Sequence, residues 1–150
     1  MRRIGRELTP GRESRPLASA VGALGVLLCS EVGSANAARE RVRLGAQVLV
    51  NPASDRWYPI ASAAEQHLQM AVFRAVETRR PLLRVSSGSS SAVIDRRGRV
   101  QTVLPDASAV LTFEPADETS PYQLASEALP IGAIALLVLT RKPRARGETG

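Results

Sequence analysis

Cys29 is the only cysteine of this chain, and it ends an apolar run, Gly22-Ala-Leu-Gly-Val-Leu-Leu28, with Glu31 two residues beyond. A thiol at the end of a buried strand, beside a carboxylate, is one way to present a nucleophile. Such a thiol attacks an acyl carbon and holds the acyl group as a thioester, which splits acyl transfer into two easier steps. The chemistry needs a thiolate, so a base and a cation must stand near the sulfur. The same residues also fit the core of a secretory signal peptide. Arg2, Arg3 and Arg6 would be its basic region, Leu17 to Leu28 its apolar region, and Ala35-Asn36-Ala37 a small-x-small cleavage site after residue 37. A third reading is a buried structural thiol, since free cysteine behaves as a small hydrophobe.

The other reactive side chains narrow the chemistry. One cysteine excludes an internal disulfide and any multi-cysteine metal centre. His67 is the only histidine, which argues against a zinc site built from this chain alone. The spacing places it on a helix, as a polar face or core residue rather than a catalyst. Trp57, the only tryptophan, and Tyr58 follow a turn-rich loop, Asn51-Pro-Ala-Ser-Asp55, and are candidates for packing beside a site. The serine-rich stretch Ser86-Ser-Gly-Ser-Ser-Ser91 lacks the glycine spacing of a phosphate loop. Net charge is +6, but aromatics are only 3% of the chain and do not interleave with a basic stripe. Nucleic acid is therefore not an expected partner.

These residues must be positioned by local elements. With 150 residues, 44% hydrophobic and 23% charged, the chain suits one globular domain. Residues 1–16 carry Pro10, Gly11 and Pro16 and read as a basic lead-in. Val21 to Leu28 has the length of a buried strand. Ser34 to Leu44 predicts a helix, capped by Ser34 and stopped by Gly45. Ala46 to Val50 predicts a strand. Ile60 to Arg79 predicts the longest helix, ended by Pro81, with Leu68, Val72, Ala75 and Val76 on its apolar face and Met70 and Phe73 widening it. Leu82 to Val85, Ala92 to Ile94, Arg99 to Leu104 and Ser108 to Phe113 predict strands, with Asp95 to Gly98 a tight hairpin turn. Strand, helix, strand, helix, then strands is a layered α/β order.

The last segment changes character. Leu129 to Leu139 is strongly apolar, and Arg141-Lys-Pro-Arg-Ala-Arg146 follows. A spanning helix needs about 20 apolar residues. Extended back through 119–140, the run is a candidate membrane segment, and the basic tail 141–150 would then face the cytoplasm.

Taken together, the segments resemble the C-terminal half of a carbon–nitrogen hydrolase (nitrilase superfamily) domain, within it most of all the apolipoprotein N-acyltransferases. Thr9-Pro-Gly11 resembles a short Pro-Gly motif before the nucleophile strand. Gly25 to Glu31 resembles the strand ending in Cys-aromatic-Glu. Gln66 to Ala71, Arg74 to Glu77 and Arg80 to Arg84 resemble the long helix and following strand. Ser91 to Asp95 with Gly98 to Val100 resembles the hairpin, and Thr119 to Tyr122 the approach to a last membrane helix.

The resemblance implies a partial α-β-β-α sandwich over residues 17–118. It implies that Cys29 is the nucleophile and Glu31 a supporting residue, with Trp57 and Tyr58 beside the substrate. The acyl donor would be a phospholipid and the acceptor a lipoprotein's amino-terminal cysteine, with no cofactor or metal. The location would be the bacterial inner membrane, with the domain facing the periplasm. Three departures stand out. The family's Glu base and Lys precede the nucleophile strand, but only Glu7 and Glu13, in no matching motif, precede Cys29 here, and the only lysine is Lys142. Ser30 replaces the usual aromatic, and Ser54 replaces an asparagine. The expectation is a fragment lacking its N-terminal half and inactive alone. The alternatives are a soluble amidase-like fragment and a secreted, non-enzymatic protein with a signal peptide at 1–37.

Overall fold

The computed structural model describes residues 14–58, 60–103 and 114–125. Strand β1 is Leu24–Val26, followed by a single 3-10 turn, Cys29–Gly33. Helix α1 is Ala35–Arg43, strand β2 Val48–Ser54 and helix α2 Ala61–Thr78. Strands β3 (Leu82–Ser87), β4 (Ser91–Ile94) and β5 (Val100–Val103) come next, then a short helix α3, Pro121–Ala125.

The strands form one mixed sheet in the order β1-β2-β3-β4-β5. The first three are parallel and the last two antiparallel. Gly25, Leu49, Leu82 and Ile94 share one row of that sheet. With Leu27 and Ala92 they pack against Ala38 and Val42 of α1 and Ala71 and Ala75 of α2, so both helices cover the same face. Gly25 sits where α1 crosses closest. A Cβ there would lie 2.8 Å from the Ala46 Cβ and 2.9 Å from the Arg41 Cβ. The opposite face also carries apolar side chains. Val50, Leu83 and Val93 are half-buried on it and Val85 is exposed.

Helix α1 begins and ends as its sequence predicts. The Ser34 hydroxyl accepts the Ala37 amide at 3.2 Å, and Gly45, at φ +100°, takes the chain out of the helix. Strand β2 runs four residues past the expected end at Val50, through Pro52. Leu49 N–H points to β3, where it meets the Pro81 carbonyl, and so does Asp55 N–H, which meets Ser87. Pro52 therefore turns its missing donor the other way, toward β1, which has already ended.

The inner face of α2 differs from the expected stripe. Its buried residues are His67, Ala71, Arg74, Ala75 and Thr78. Leu68 and Val72 pack at the margin of the core, but Met70, Phe73 and Val76 are exposed, Phe73 by 61%. Small alanines let the helix approach the sheet. Arg74 donates to the Gly33 carbonyl at 3.2 Å and Thr78 to the Arg74 carbonyl at 2.7 Å, and the partners of His67 are described below. The expected strand 108–113 and most of the apolar segment 119–140 lie outside the described residues. Among the described residues, no helix is long and apolar enough to cross a membrane. Leu27 and Val32 are fully buried, so the run around Cys29 is part of the core.

Candidate active site

Cys29 sits immediately beyond β1 with φ +48°, a left-handed conformation that a residue with a Cβ rarely adopts. Its thiol is half-buried there, three residues past the end of the strand. Glu31 closes this turn. Its carboxylate accepts the Leu28 amide at 2.8 Å, and its own amide bonds the Leu28 carbonyl at 3.0 Å. Arg41 lies 3.8 Å from the same carboxylate and donates through Nε to the Val26 carbonyl at 3.1 Å. Glu31 is thus spent on the turn that carries Cys29, and its side chain remains 45% exposed.

Beneath the turn lies a buried polar cluster at the carboxyl ends of the three parallel strands. Asn51 of β2 donates through Nδ2 to the Leu27 carbonyl at 2.6 Å and to the Cys29 carbonyl at 3.0 Å. His67 of α2 also reaches the Cys29 carbonyl, with Nε2 at 3.2 Å. Arg84 of β3 ties the cluster together. One of its nitrogens donates to Asn51 Oδ1 at 2.5 Å, and the other to Asp55 Oδ2 at 2.6 Å. The other Asp55 oxygen lies 2.8 Å from His67 Nδ1. Ser86 donates to Asp55 Oδ2 at 2.8 Å, and Ser89 donates to the same oxygen.

The Arg84 and Asp55 side chains are both fully buried. A buried pair of charges is better tolerated when its remaining hydrogen-bonding positions are filled, as they are around this carboxylate, whereas the Arg84 Nε is buried without a partner. Burial by itself would raise the Asp55 carboxyl, but hydrogen bonds from Ser89, His67, Ser86 and Arg84 outweigh it and hold the group well below the usual carboxylate range.

Of the residues singled out in the sequence, Cys29 and Glu31 come together in one turn. Tyr58 joins the cluster from outside, its ring edge-on to His67 at 5.6 Å and 81°, and its amide bonded to the Asp55 carbonyl at 3.0 Å. Trp57 projects into solvent, 85% exposed. His67 is buried, as a core histidine would be. Sequence reasoning missed Asn51, Asp55 and Arg84 and read the stretch of Ser86 and Ser89 as a plain loop. The available signal was a polar residue at an inward position of an apolar strand, Asn51 after Val48-Leu-Val50 and Arg84 after Leu82-Leu83.

A profile described as carbon-nitrogen hydrolase matches residues 3–114, most of the chain. The chain belongs to the carbon-nitrogen hydrolase family. Among curated relatives, the chain is 37% identical over 99 residues to an apolipoprotein N-acyltransferase of Geobacter metallireducens, an overlap of 66% of this chain and 19% of the relative. It is 39% identical over 82 residues to apolipoprotein N-acyltransferase 1 of Treponema denticola, 55% of this chain and 15% of that one. The chain therefore spans about a fifth, or less, of the length of these relatives.

Solved structures agree on the fold. A carbon-nitrogen hydrolase from Helicobacter pylori G27 superimposes with a TM-score of 0.57 at 17% identity, covering 89% of this chain and 51% of the other. An amidase from a Nesterenkonia species gives 0.56 at 20% identity, covering 84% and 49%. The chain therefore has a nitrilase-like α/β fold with a mixed sheet.

Proposed function

We propose that the chain carries the nucleophile part of an acyl-transfer site of the apolipoprotein N-acyltransferase kind, with Cys29 as the acyl acceptor and Glu31 as a supporting residue. The left-handed turn at Cys29, φ +48°, carries this reading, because it places the only thiol on a held reversal at a strand end. In the first step the Cys29 sulfur forms a bond to a phospholipid acyl carbon. The ester C–O bond breaks, and the thiol proton ends on the lysophospholipid hydroxyl. In the second step the amine of a lipoprotein's amino-terminal cysteine attacks the thioester. A C–N bond replaces the C–S bond, and an amine proton returns to sulfur.

The proposal includes a condition. Glu31 is committed to the Leu28 amide. The His67 ring faces a carbonyl and a carboxylate. The only lysine, Lys142, follows Cys29 by more than a hundred residues. Turnover therefore depends on a glutamate base and a lysine from a further polypeptide segment, and this chain by itself is inactive. The apolar outer face of the sheet, Val50, Leu83, Val85 and Val93, suits a second layer such as the other half of an α-β-β-α sandwich. The associated location is the bacterial inner membrane, and Trp57, exposed beside the site, fits contact with lipid.

A second reading is an amidase-like carbon-nitrogen hydrolase acting on small amides. One solved neighbour is a Nesterenkonia amidase mutant with acrylamide added at its active-site cysteine.

The test mixes the full 150-residue chain with phospholipid and a full-length relative whose own nucleophile is replaced by alanine. Intact mass is then measured before and after hydroxylamine. A hydroxylamine-sensitive acyl adduct on Cys29, absent from C29A, is expected. No adduct, with the unaltered relative acylating normally, would sink the acyltransferase reading. An adduct formed from a small amide but not from phospholipid would favour the amidase reading.

A further inference from the structure

We propose that His67 is a positioning residue for Cys29, its Nε2–H holding the Cys29 carbonyl together with the Asn51 amide and so fixing the left-handed turn from which the thiol projects. This rests on the reading of Cys29 as the nucleophile.

The geometry assigns the ring its task. A histidine beside a cysteine invites the reading of a general base, but no His67 contact is to sulfur. Nε2 faces the main-chain oxygen of Cys29 at 3.2 Å. Nδ1 faces Asp55 Oδ1 at 2.8 Å, with an Arg84 nitrogen at 3.1 Å. A carboxylate that orients one ring nitrogen so that the other makes a directed bond is the arrangement used in catalytic triads. Here the directed bond ends on a carbonyl. Through it the ring restrains the backbone of the nucleophile and leaves the sulfur free.

The Cys29 carbonyl has two lone pairs and receives two donors, Asn51 Nδ2 at 3.0 Å and His67 Nε2. Neither donor is free to turn. Arg84 fixes Asn51 through its Oδ1 and fixes His67 through Asp55, so one guanidinium braces both arms of the grip. The left-handed conformation is unfavourable at a non-glycine residue, and it persists where surrounding structure over-determines it: Glu31 closes the turn locally, and the two donors hold it from outside. The two donors come from β2 and α2, so they link the nucleophile turn to the rest of the sheet and its helix layer.

The single cysteine makes the test unambiguous. Glutamine places its amide nitrogen near the position of histidine Nε2, and asparagine near Nδ1. H67Q therefore keeps a donor toward the Cys29 carbonyl, and H67N places its amide beside Asp55 and Arg84 with no donor toward Cys29. Backbone shifts of 13C-labelled Cys29 report its conformation in the full chain, and iodoacetamide labelling reports its thiol. Wild type and H67Q are expected to share left-handed shifts. H67N is expected to lose them, and its labelling rate should change about tenfold, the effect of one hydrogen bond. H67N with wild-type Cys29 shifts would overturn the proposal. H67Q behaving like H67N would also overturn it, since a general base cannot be replaced by an amide but a donor can.

A second measurement needs no variant and applies even if H67N fails to fold. The 15N shifts of the wild-type ring tell which nitrogens carry protons, and a bare Nε2 would overturn the proposal. If no acyl adduct forms on Cys29 in the phospholipid test while the shifts behave as expected, the nucleophile reading fails and the positioning role stands.

Discussion

A Cβ-bearing residue in the left-handed region works against a local preference of about 1 kcal/mol. Cys29, at φ +48°, is held there by groups distant in sequence, so removing its Cβ should release the strain. Cys29→Gly is expected to be more stable than Cys29→Ala by about 1 kcal/mol in urea unfolding, although both lack the thiol. Equal stabilities would mean that the turn is not strained. Cys29 and Glu31 were legible because composition isolates them: one thiol, one carboxylate close behind it, at the end of an apolar run. Asn51, Asp55 and Arg84 were not. Asn51 read as the start of a loop, and Arg84 only as one residue of a strand. Residues 51, 55, 67 and 84 share a site only because two parallel crossovers return the chain to the same sheet edge, and sequence distance does not record that.

Elements with chemical punctuation were readable to within a residue or two. Helix α1 runs Ala35–Arg43 because Ser34 and Gly45 bracket it, and Ser34→Ala should cost about 1 kcal/mol through the lost bond to the Ala37 amide. Strand β2 was underestimated because Pro52 reads as a strand terminator unless its missing N–H is known to face an unpaired edge. The stripe on α2 was drawn too wide: Leu68, Val72 and Ala75 pack on the core as expected, but Met70, Phe73 and Val76 stay exposed and His67 and Ala71 take the inner face. Close approach is also the theme at Gly25, where α1 touches β1. Gly25→Ala must push its methyl against Ala46, Arg41 and Leu49, all at 3.0 Å or less. Overpacking of that kind costs about 1–3 kcal/mol. Because Arg41 also holds the Val26 carbonyl and flanks Glu31, the iodoacetamide labelling rate of Cys29 should change in G25A as well. A variant that lost stability with an unchanged labelling rate would separate α1 packing from the nucleophile turn.

The molecule as a whole combines excess positive charge with a buried carboxylate, and acid should expose both. At pH 7 the 20 Lys and Arg are opposed by 14 Asp and Glu. Protonating the carboxylates leaves those cations unopposed, and the resulting repulsion is long-range and weakened by salt. Asp55 adds a term of a different kind. Its folded value lies below its unfolded value of about 3.9, so the stability it contributes is complete above that pH and is lost as pH falls toward the folded value. Its partners are buried, so added salt should leave this part almost unchanged. Asp95 is shifted in the same direction. Burial there is outweighed by the amides of Arg99 and Arg97, at the exposed hairpin turn. Asp55→Asn is expected to cost about 3 kcal/mol at neutral pH, by leaving Arg84 buried without its counter-charge. In high salt it should also flatten the fall in stability between about pH 5 and 2, where D95N keeps most of it. Urea unfolding of the three proteins across that range, in low and high salt, measures both effects. A wild-type acid transition abolished by salt alone would mean that surface repulsion, not the Asp55 cluster, limits this fold in acid.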